Sequence, residues 1–338
     1  MIRRIAAAAV AASVLAGLAP AASAQESAPL KFATVSPADG PLNVRLQHPW
    51  AARVNARGEA SVMLDVRDGY ALGNFGNIYD RVMNDVVQVA SGTQGSTAGK
   101  FPLTGFVALP MLFDKPEEAS VAFWRIYKAG VLGPEYNDVT PLFVATMENN
   151  GLQFSRPLDN PTDLKGLKMA ALSKINGEVI TALGATPISM QLTDMYPALQ
   201  RHLVDGLSVA WTAYRPFKLG EVITYHVETK LGSAAAFIFM SKKKFESLPA
   251  AGQKVLMEES GEKQSRAYGA YWTSLADEVR QEYANKPGHT TVRLTPEQNA
   301  AWQAKLQGVT DAWVKETPGG AKVLAAFKAA LADVQAGH

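Results

Sequence analysis

The segment "DLKGLKMAALSKINGEVITALGATPISM", residues 163–190, contains the alternation of strand and helix that decides the fold class. Within it, "GLKMAAL" (166–172) is a short apolar run, which is typical of a buried strand. The next stretch, "INGEVITALGA" (175–185), has apolar residues at helical spacing, and Gly184 is suited to end the helix. A buried strand followed directly by a helix favours an α/β fold.

The same alternation occurs upstream of this segment. "LKFATVS" (30–36) and "ASVMLDVRDG" (60–69) have the composition of strands, and "LNVRLQHPWAARVNA" (42–56) between them has helical spacing. "GNIYDRVMNDVVQVA" (76–90) is predicted to be a helix that runs into a short strand near Val89. This order predicts an open sheet covered by helices.

The rest of the chain adds strands and then long helices. "DGLSVAW" (205–211) and "AAAFIFMS" (234–241) are predicted strands. Four helices are predicted: 194–203 capped by Thr193, a continuous helix from Pro249 to about Asn285, 296–316 capped by Thr295, and 321–334.

The chain begins with the features of a cleaved secretory signal peptide. Arg3 and Arg4 precede an apolar run, 5–18, that is short for a membrane span, and 22–24 is a small-x-small cleavage site, Ala-Ser-Ala. We therefore expect residues 1–24 to be removed, which leaves a periplasmic chain that starts at Gln25. The alternative is that the apolar run is retained as a membrane anchor.

The composition of the expected mature chain is nearly neutral. The full sequence has 33 basic and 31 acidic residues, and residues 1–24 contain two arginines and no acid. A net charge near zero disfavours nucleic acid or an anionic membrane as a partner held by bulk charge. The sequence has no cysteine, so the fold cannot depend on disulfides. Its length suggests two domains.

Motifs for catalysis and metal binding are missing from the sequence. The five histidines include no pair at i, i+4 spacing, and there is no cysteine to complete a zinc site. "GSTAG" (95–99) lacks the central serine of a hydrolase elbow, and no phosphate-binding or dinucleotide motif occurs. We therefore expect a binding protein without a cofactor rather than an enzyme.

Six segments occur in the order and spacing of one known family. The chain resembles the DctP-type solute receptors of tripartite ATP-independent periplasmic (TRAP) transporters. The segments that carry the resemblance are "GKFPLTGFVALPMLF" (99–113), "DLKGLKM" (163–169), "ALGATPISM" (182–190), "MYPALQRHLVDG" (195–206), "FKLGEVITYHVET" (217–229) and "FMSKKKFESLPAAGQKVL" (239–256).

The resemblance implies a periplasmic binding protein of type II-like architecture. Two α/β domains are joined by crossing strands and by one long spine helix. The implied division is residues 25–147 plus 236–272 for domain I, and 148–235 plus 273–338 for domain II. A receptor of this kind captures an organic acid in the cleft between its domains, closes, and delivers the ligand to membrane permease subunits driven by an ion gradient. We expect a monomer.

In the resembled family, an arginine after "GLK-apolar" holds the ligand carboxylate through two parallel hydrogen bonds. The matching position in this sequence is Ala170. Lys168 and Lys174 are the nearest basic residues, and Arg215 is a further candidate for a substitute cation. We therefore expect an atypical ligand: one with an apolar or aromatic body, or an acid held by another group. Succinate and malate are not expected to bind at millimolar concentration, because an unpaired buried carboxylate is unfavourable.

Further candidate ligand-binding residues lie at positions where the resembled family lines its cleft. Their polar or aromatic side chains suit ligand contact, although each could instead belong to the surface or the core. Glu148 in particular could favour a cationic or hydroxyl-bearing ligand. The candidates are Ser36, Thr93, Gln94, Ser96, Glu148, Trp211, Tyr214 and Phe237.

Two other functional classes remain open at this point. A receptor with the same cleft could signal to a membrane kinase rather than feed a permease. An enzyme on this scaffold is disfavoured by the missing motifs.

Overall fold

Two β-sheets form the frame of the protein. The computed structural model describes residues 29–58, 61–97 and 99–338. The predicted signal peptide and its cleavage site lie outside this part of the chain. Within it, no helix is both long and apolar enough to cross a bilayer.

The first sheet has the strand order β2-β1-β3-β10-β4. Its strands are β1 (Leu30–Ala33), β2 (Leu64–Arg67), β3 (Val89–Thr93), β4 (Val139–Thr146) and β10 (Ala235–Ser241). β1 runs parallel to β2 and β3, whereas β10 lies antiparallel between β3 and β4. Alternate residues of β10 face opposite sides of the sheet, so Phe237 and Phe239 enter one core cluster and Ile238 enters another.

Helices cover both faces of the first sheet. They are α1 (His48–Gly58), which follows a π-helical segment (Asn43–Gln47), then α2 (Ile78–Met83), α3 (Pro116–Lys128), α6 (Lys242–Glu246) and α7 (Ala250–Glu258). Helix α3 starts with Pro116 in its first turn and buries its Phe123 side against the sheet.

The second sheet has the strand order β11-β9-β5-β8-β6-β7. Its strands are β5 (Gly151–Phe154), β6 (Lys168–Ala171), β7 (Thr186–Ser189), β8 (Gly206–Val209), β9 (Tyr225–Glu228) and β11 (Thr290–Arg293). The helices on this side are α4 (Lys174–Ala182), α5 (Met195–Gln200) and α9 (Pro296–Glu316). The strand and helix predicted in residues 163–190 are therefore β6 and α4, and β7 completes the unit.

Two segments carry the chain between the sheets. Residues 147–150 lead from β4 to β5, and residues 229–234 lead back from β9 to β10. The two segments hydrogen bond to each other, since the backbone N–H of Met147 donates to Ala234 and that of Asn150 donates to Gly232. The domain boundaries drawn near Glu148 and Ala236 stay a prediction.

The predicted continuous helix after Pro249 is wrong in one respect. The structure has two helices there, α7 and α8 (Gly261–Ala284), separated at Ser260. Gly261 has a φ of +67°, a left-handed conformation that turns the chain between them. Helix α8 is the spine, and its Tyr271, Leu275 and Val279 join the same core cluster as the first-sheet residue Phe32.

The predicted N-cap of α5 is also wrong. The N-cap is Asp194 rather than Thr193, because residues 192–194 form a 3-10 turn that leads into the helix. In contrast, Thr295 caps α9 as predicted, with a reciprocal hydrogen bond from Gln298.

The last helix, α10 (Gly320–Gln335), packs against helices of the first sheet, whereas the predicted domain division assigns it to domain II. That division assigns residues 273–338 to domain II. Phe327 lies 4.6 Å from Phe106 between ring centroids, and Val323 and Leu331 share the α3 core cluster. α10 thus covers the first part of the protein, because its apolar face matches α3. The other boundaries remain a prediction.

Candidate functional site

A cavity of about 440 Å³ lies among segments that come from both sheets. The loop after β3 and the 3-10 segment Leu103–Ala108 line it from the first sheet, and residues following β6 and β8 line it from the second. The two crossing segments and Trp272 of the spine helix complete its wall. Both halves of the molecule therefore contribute to one site.

The cavity wall carries almost no charge. Its lining residues in the described chain include no arginine, lysine or histidine, and Glu148 is the one ionisable side chain among them. Apolar side chains such as Phe101, Phe217 and Trp272 are interspersed with hydroxyl and amide groups. This wall suits a ligand with an apolar body and few polar groups.

The predicted loop after β3 lies on the wall. Thr93, Gln94 and Ser96 all line the cavity, and the hydroxyls of Thr93 and Ser96 are 2.6 Å apart. The Gln94 amide donates to the Tyr136 hydroxyl at 3.3 Å, while its Oε1 has no hydrogen-bond partner among the described residues. Their role in ligand binding stays a prediction.

Glu148 lies on the first crossing segment and also lines the cavity. Its two carboxylate oxygens accept the backbone N–H groups of Trp211 and Thr212 at 3.3 and 3.1 Å. Burial raises the pKa of Glu148 to about 7, although these two N–H groups favour the charged form. No ion pair to Glu148 forms among the described residues.

Ala170 lies inside the core rather than on the cavity wall. It is fully buried in β6 between Leu207 of β8 and Ile188 of β7. The wall begins two residues later, at Leu172 and Ser173. An alanine here leaves the cavity without the cation that the resemblance implied at this position.

The basic residues expected to substitute for the missing arginine are held elsewhere. Arg215 pairs with Glu282 and Glu278, and Lys174 pairs with Glu316 at 2.8 Å and with Glu178. Lys168 is exposed at the start of β6. None of the three lines the cavity, so the structure does not place them where they were expected.

Trp211 and Tyr214 lie behind the wall in a buried aromatic cluster. The Trp211 ring is 4.5 Å from the His226 ring and 5.0 Å from the Tyr214 ring. The Tyr214 hydroxyl donates to Gln153 at 2.7 Å. The direct stacking predicted for Trp211 has no geometric support here, because these neighbours fill the space around its ring.

Phe237 and Ser36 are also not on the wall. Phe237 stacks on Phe239 at 4.1 Å and packs edge-on behind Phe101, which is the residue that faces the cavity. The carbonyl of Ser36 accepts hydrogen bonds from Thr34 and Asn43 near the end of β1. Both residues contact neighbouring residues and are not part of the cavity surface.

Several wall residues were not predicted. Trp272 is half-buried on α8, and its position three residues before the buried Leu275 gave no sign of a cavity. Asn176 is buried at the start of α4, where its amide donates to Ser208 at 2.8 Å and accepts from the Leu172 N–H. Asn176 precedes the buried Val179 and Ile180 by three and four residues, so its amide could have been noticed as a polar position facing the core.

A second half-buried carboxylate, Glu135, lies behind the cavity wall. Glu135 accepts the N–H groups of Leu103 and Thr104, at the start of the 3-10 segment that lines the cavity. Burial raises the pKa of Glu135 to about 7. Its hydrogen bonds hold the backbone at the start of this segment. The part of the chain that the structure describes contains no cluster of metal-ligating side chains.

Comparison with known families decides the identity of this fold. The profile of bacterial extracellular solute-binding protein family 7, DctP, matches residues 32–317. The chain belongs to this family. The match confirms the resemblance drawn from the six segments. It identifies this DctP-family chain as a solute-binding protein rather than an enzyme.

Curated relatives of this DctP-family chain include dicarboxylate receptors. The C4-dicarboxylate-binding periplasmic protein DctP of Rhodobacter capsulatus is 32% identical over 185 residues, which cover 52% of this chain and 53% of that protein. The alignment thus spans about half of the Rhodobacter protein. The protein of the same name from Vibrio cholerae is 25% identical and aligns over 78% of this chain and 80% of its own length.

Solved structures of TRAP solute-binding proteins share the fold. A marine metagenome protein specific for aromatic acid ligands, bound to metahydroxyphenylacetate, has a TM-score of 0.82 at 24% identity and covers 91% of this chain and 99% of its own. A protein from Rhodoferax ferrireducens with copurified benzoate has a TM-score of 0.81 at 23% identity, covering 91% and 98%. These likenesses confirm the predicted two-part α/β fold with a spine helix.

Proposed function

We propose that this DctP-family chain is the periplasmic receptor of a TRAP transporter, which captures a small organic ligand with an apolar or aromatic body. The ligand occupies the cavity between the two sheets and is delivered to ion-gradient-driven permease subunits. Export with cleavage after Ala24 is part of the proposal. The observation that carries it is the 440 Å³ cavity, whose wall is built from both halves of a family 7 fold.

The chemistry of the wall supports an apolar body. Phe101, Phe217 and Trp272 offer broad faces to a ring, and burial of apolar area contributes roughly 25 cal/mol per Å². The aromatic acids bound by two structural relatives have bodies of this kind. Small dicarboxylates have little apolar area, and the wall offers no cation to either of their charged groups.

A thermal-shift screen followed by calorimetry tests the proposal. We expect phenyl-bodied compounds to raise the melting temperature, because a ligand at a hundredfold excess over its Kd stabilises the fold by about 2.7 kcal/mol. Succinate at millimolar concentration should leave it unchanged. Tight succinate binding with no response to any phenyl-bodied compound would contradict the proposal.

A matched pair of variants localises the binding. Ala234 is exposed on the cavity wall, so Ala234→Phe should fill part of the cavity and abolish the thermal shift. Ala321 is exposed on α10 away from the cavity, and Ala321→Phe should preserve the shift. An equal shift in both variants would place the ligand elsewhere.

A further inference from the structure

The carboxylate of Glu148 is incompletely used by the protein. An ionised carboxylate offers about four acceptor positions. Two of them are taken by the N–H groups of Trp211 and Thr212, which belong to the 3-10 turn Trp211–Ala213, and the Thr212 side chain is a further hydrogen-bond partner. Glu148 is one of the residues that form the cavity wall and keeps partial exposure. Its remaining acceptor capacity is therefore available to a ligand.

The charged groups around Glu148 do not neutralise it. Arg280 is the one cation that depresses its pKa, and Arg280 is already paired with Asp277 and Glu228. Tyr214 is the other titratable group that interacts with it, and burial together with the Glu148 charge keeps that hydroxyl protonated by raising its pKa. The described wall thus presents a half-buried acid with no cation beside it on the wall.

The sign of this charge determines which head group the cavity accepts. A carboxylate ligand placed against ionised Glu148 would be repelled, and a medium of low dielectric constant strengthens that repulsion. A ligand that donates an N–H or O–H would instead use the free acceptor positions. An ammonium head adds charge attraction to the hydrogen bond.

We propose that Glu148 is the head-group acceptor of this site, and that the ligand carries a hydrogen-bond-donating head, ammonium or hydroxyl, on its apolar body. The inference rests on the proposed function, since it names the ligand chemistry of the same cavity. In this proposal, Glu148 on the first crossing segment determines which ligand head group the site accepts. The cation expected at position 170 has no part in it.

Three compounds with one benzyl body and different heads test the proposal in the unmodified protein: benzylammonium, benzyl alcohol and phenylacetate. We expect calorimetry at pH 8 to show that at least one donor head binds ten-fold or more tightly than phenylacetate. Benzylammonium binding should strengthen from pH 5.5 to pH 8, because raising the pH ionises Glu148. Comparison of the two donor heads distinguishes an ammonium ligand from a hydroxyl ligand.

A pair of variants assigns the effect to Glu148. Glu148→Gln should weaken benzylammonium ten-fold or more, remove the pH dependence and improve phenylacetate binding. Glu246→Gln, on an exposed helix away from the cavity, should behave as the unmodified protein does. Since the head-group preference and its pH dependence are measured without any substitution, a poorly folded variant would leave the test intact.

The outcomes separate this inference from the proposed function. If phenylacetate binds most tightly and Glu148→Gln leaves its affinity unchanged, the proposed role of Glu148 is wrong. The proposed function, capture of a ligand with an apolar body, would still stand. Failure of all three compounds to bind would overturn both, because the shared benzyl body is what the proposed function requires.

Discussion

Residues 170 and 148 give the cavity its electrostatic character. Ala170 supplies a methyl group to the core, and Glu148 supplies the one ionisable group on the described wall. Substituting a buried arginine by alanine at the family's anchor position would leave a carboxylate ligand unpaired. In the proposed role of Glu148, this acidic side chain on the wall then selects a head group that donates hydrogen bonds.

Tryptophan fluorescence tests which of two tryptophans, Trp272 or Trp211, contacts the ligand. Trp272 lines the cavity, whereas Trp211 is 6% exposed and packed against His226 and Tyr214. We expect ligand binding to change the emission of the unmodified protein and of Trp211→Phe. Trp272→Phe should lose most of the change. A full response in Trp272→Phe and none in Trp211→Phe would return Trp211 to the stacking role that the sequence suggested.

Among the elements, the break between α7 and α8 defines where the spine begins. Gly261 adopts its left-handed conformation beside the Trp124 ring, and a Cβ atom added there would come within 3.3 Å of that ring. The break lets α7 pack on α1 while α8 runs past α3 toward the second sheet. Two helices with different partners replace the single helix that the periodicity predicted.

A pair of glycine substitutions tests the importance of this break. Gly261→Ala should lower the free energy of unfolding by about 1–2 kcal/mol, because an L-residue is strained at positive φ. Gly308 lies on the exposed face of α9 with open space around it, so Gly308→Ala should raise the same quantity by about 0.5–1 kcal/mol. Urea denaturation measures both. If both variants change the free energy of unfolding in the same direction, then helix propensity, not the local turn, controls stability at Gly261.

Local signals predicted the elements better than their junctions. The strand at 168–171, the helix at 174–182 and the cap at Thr295 each follow from periodicity or capping chemistry within a few residues. The turn at Gly261 was not predictable in this way, because a lone glycine between two helical patterns is compatible with a continuous helix. Its nearest neighbour in space is Trp124, which is distant in sequence.

At the scale of the whole molecule, two parts of the cavity wall were among the predicted positions: the loop at Thr93 and the crossing at Glu148. Both were predicted from the resemblance to the family, and their role in ligand binding stays a prediction. Trp272 and Asn176 reach the cavity through the packing of α8 and α4 against distant strands. The burial of Trp211 and Phe237 likewise depends on neighbours, such as His226 and Phe101, that no local pattern identifies.

The stability of the whole fold should depend on a buried histidine. His226 is fully buried between Gln153 and His289, and burial lowers its pKa from 6.5 to about 3. Below pH 6.5 the unfolded chain takes up a proton that the folded protein does not. This group therefore removes stability as the pH falls from 6.5 toward 3, by up to about 1.4 kcal/mol per pH unit.

Denaturation at several pH values isolates this contribution. Glu148 and Glu135 act in the opposite direction between pH 4.5 and 7, because their pKa values are raised in the fold. We therefore compare His226→Gln with the unmodified protein. The destabilisation caused by His226→Gln should become smaller as the pH falls, because the variant lacks the histidine that costs stability at low pH. A constant difference for His226→Gln would show that this imidazole is protonated in the folded protein.

The position of β10 has a consequence for the order in which the protein can fold. This strand joins β3 to β4, yet it is made about ninety residues after β4. The apolar cluster around α3 also requires α10, the final helix of the chain. An N-terminal fragment that ends before residue 235 therefore has neither the strand that connects its sheet nor the helix that covers its core. Contacts this distant in sequence slow folding, so we expect the first sheet to be completed only after β10 has been synthesised.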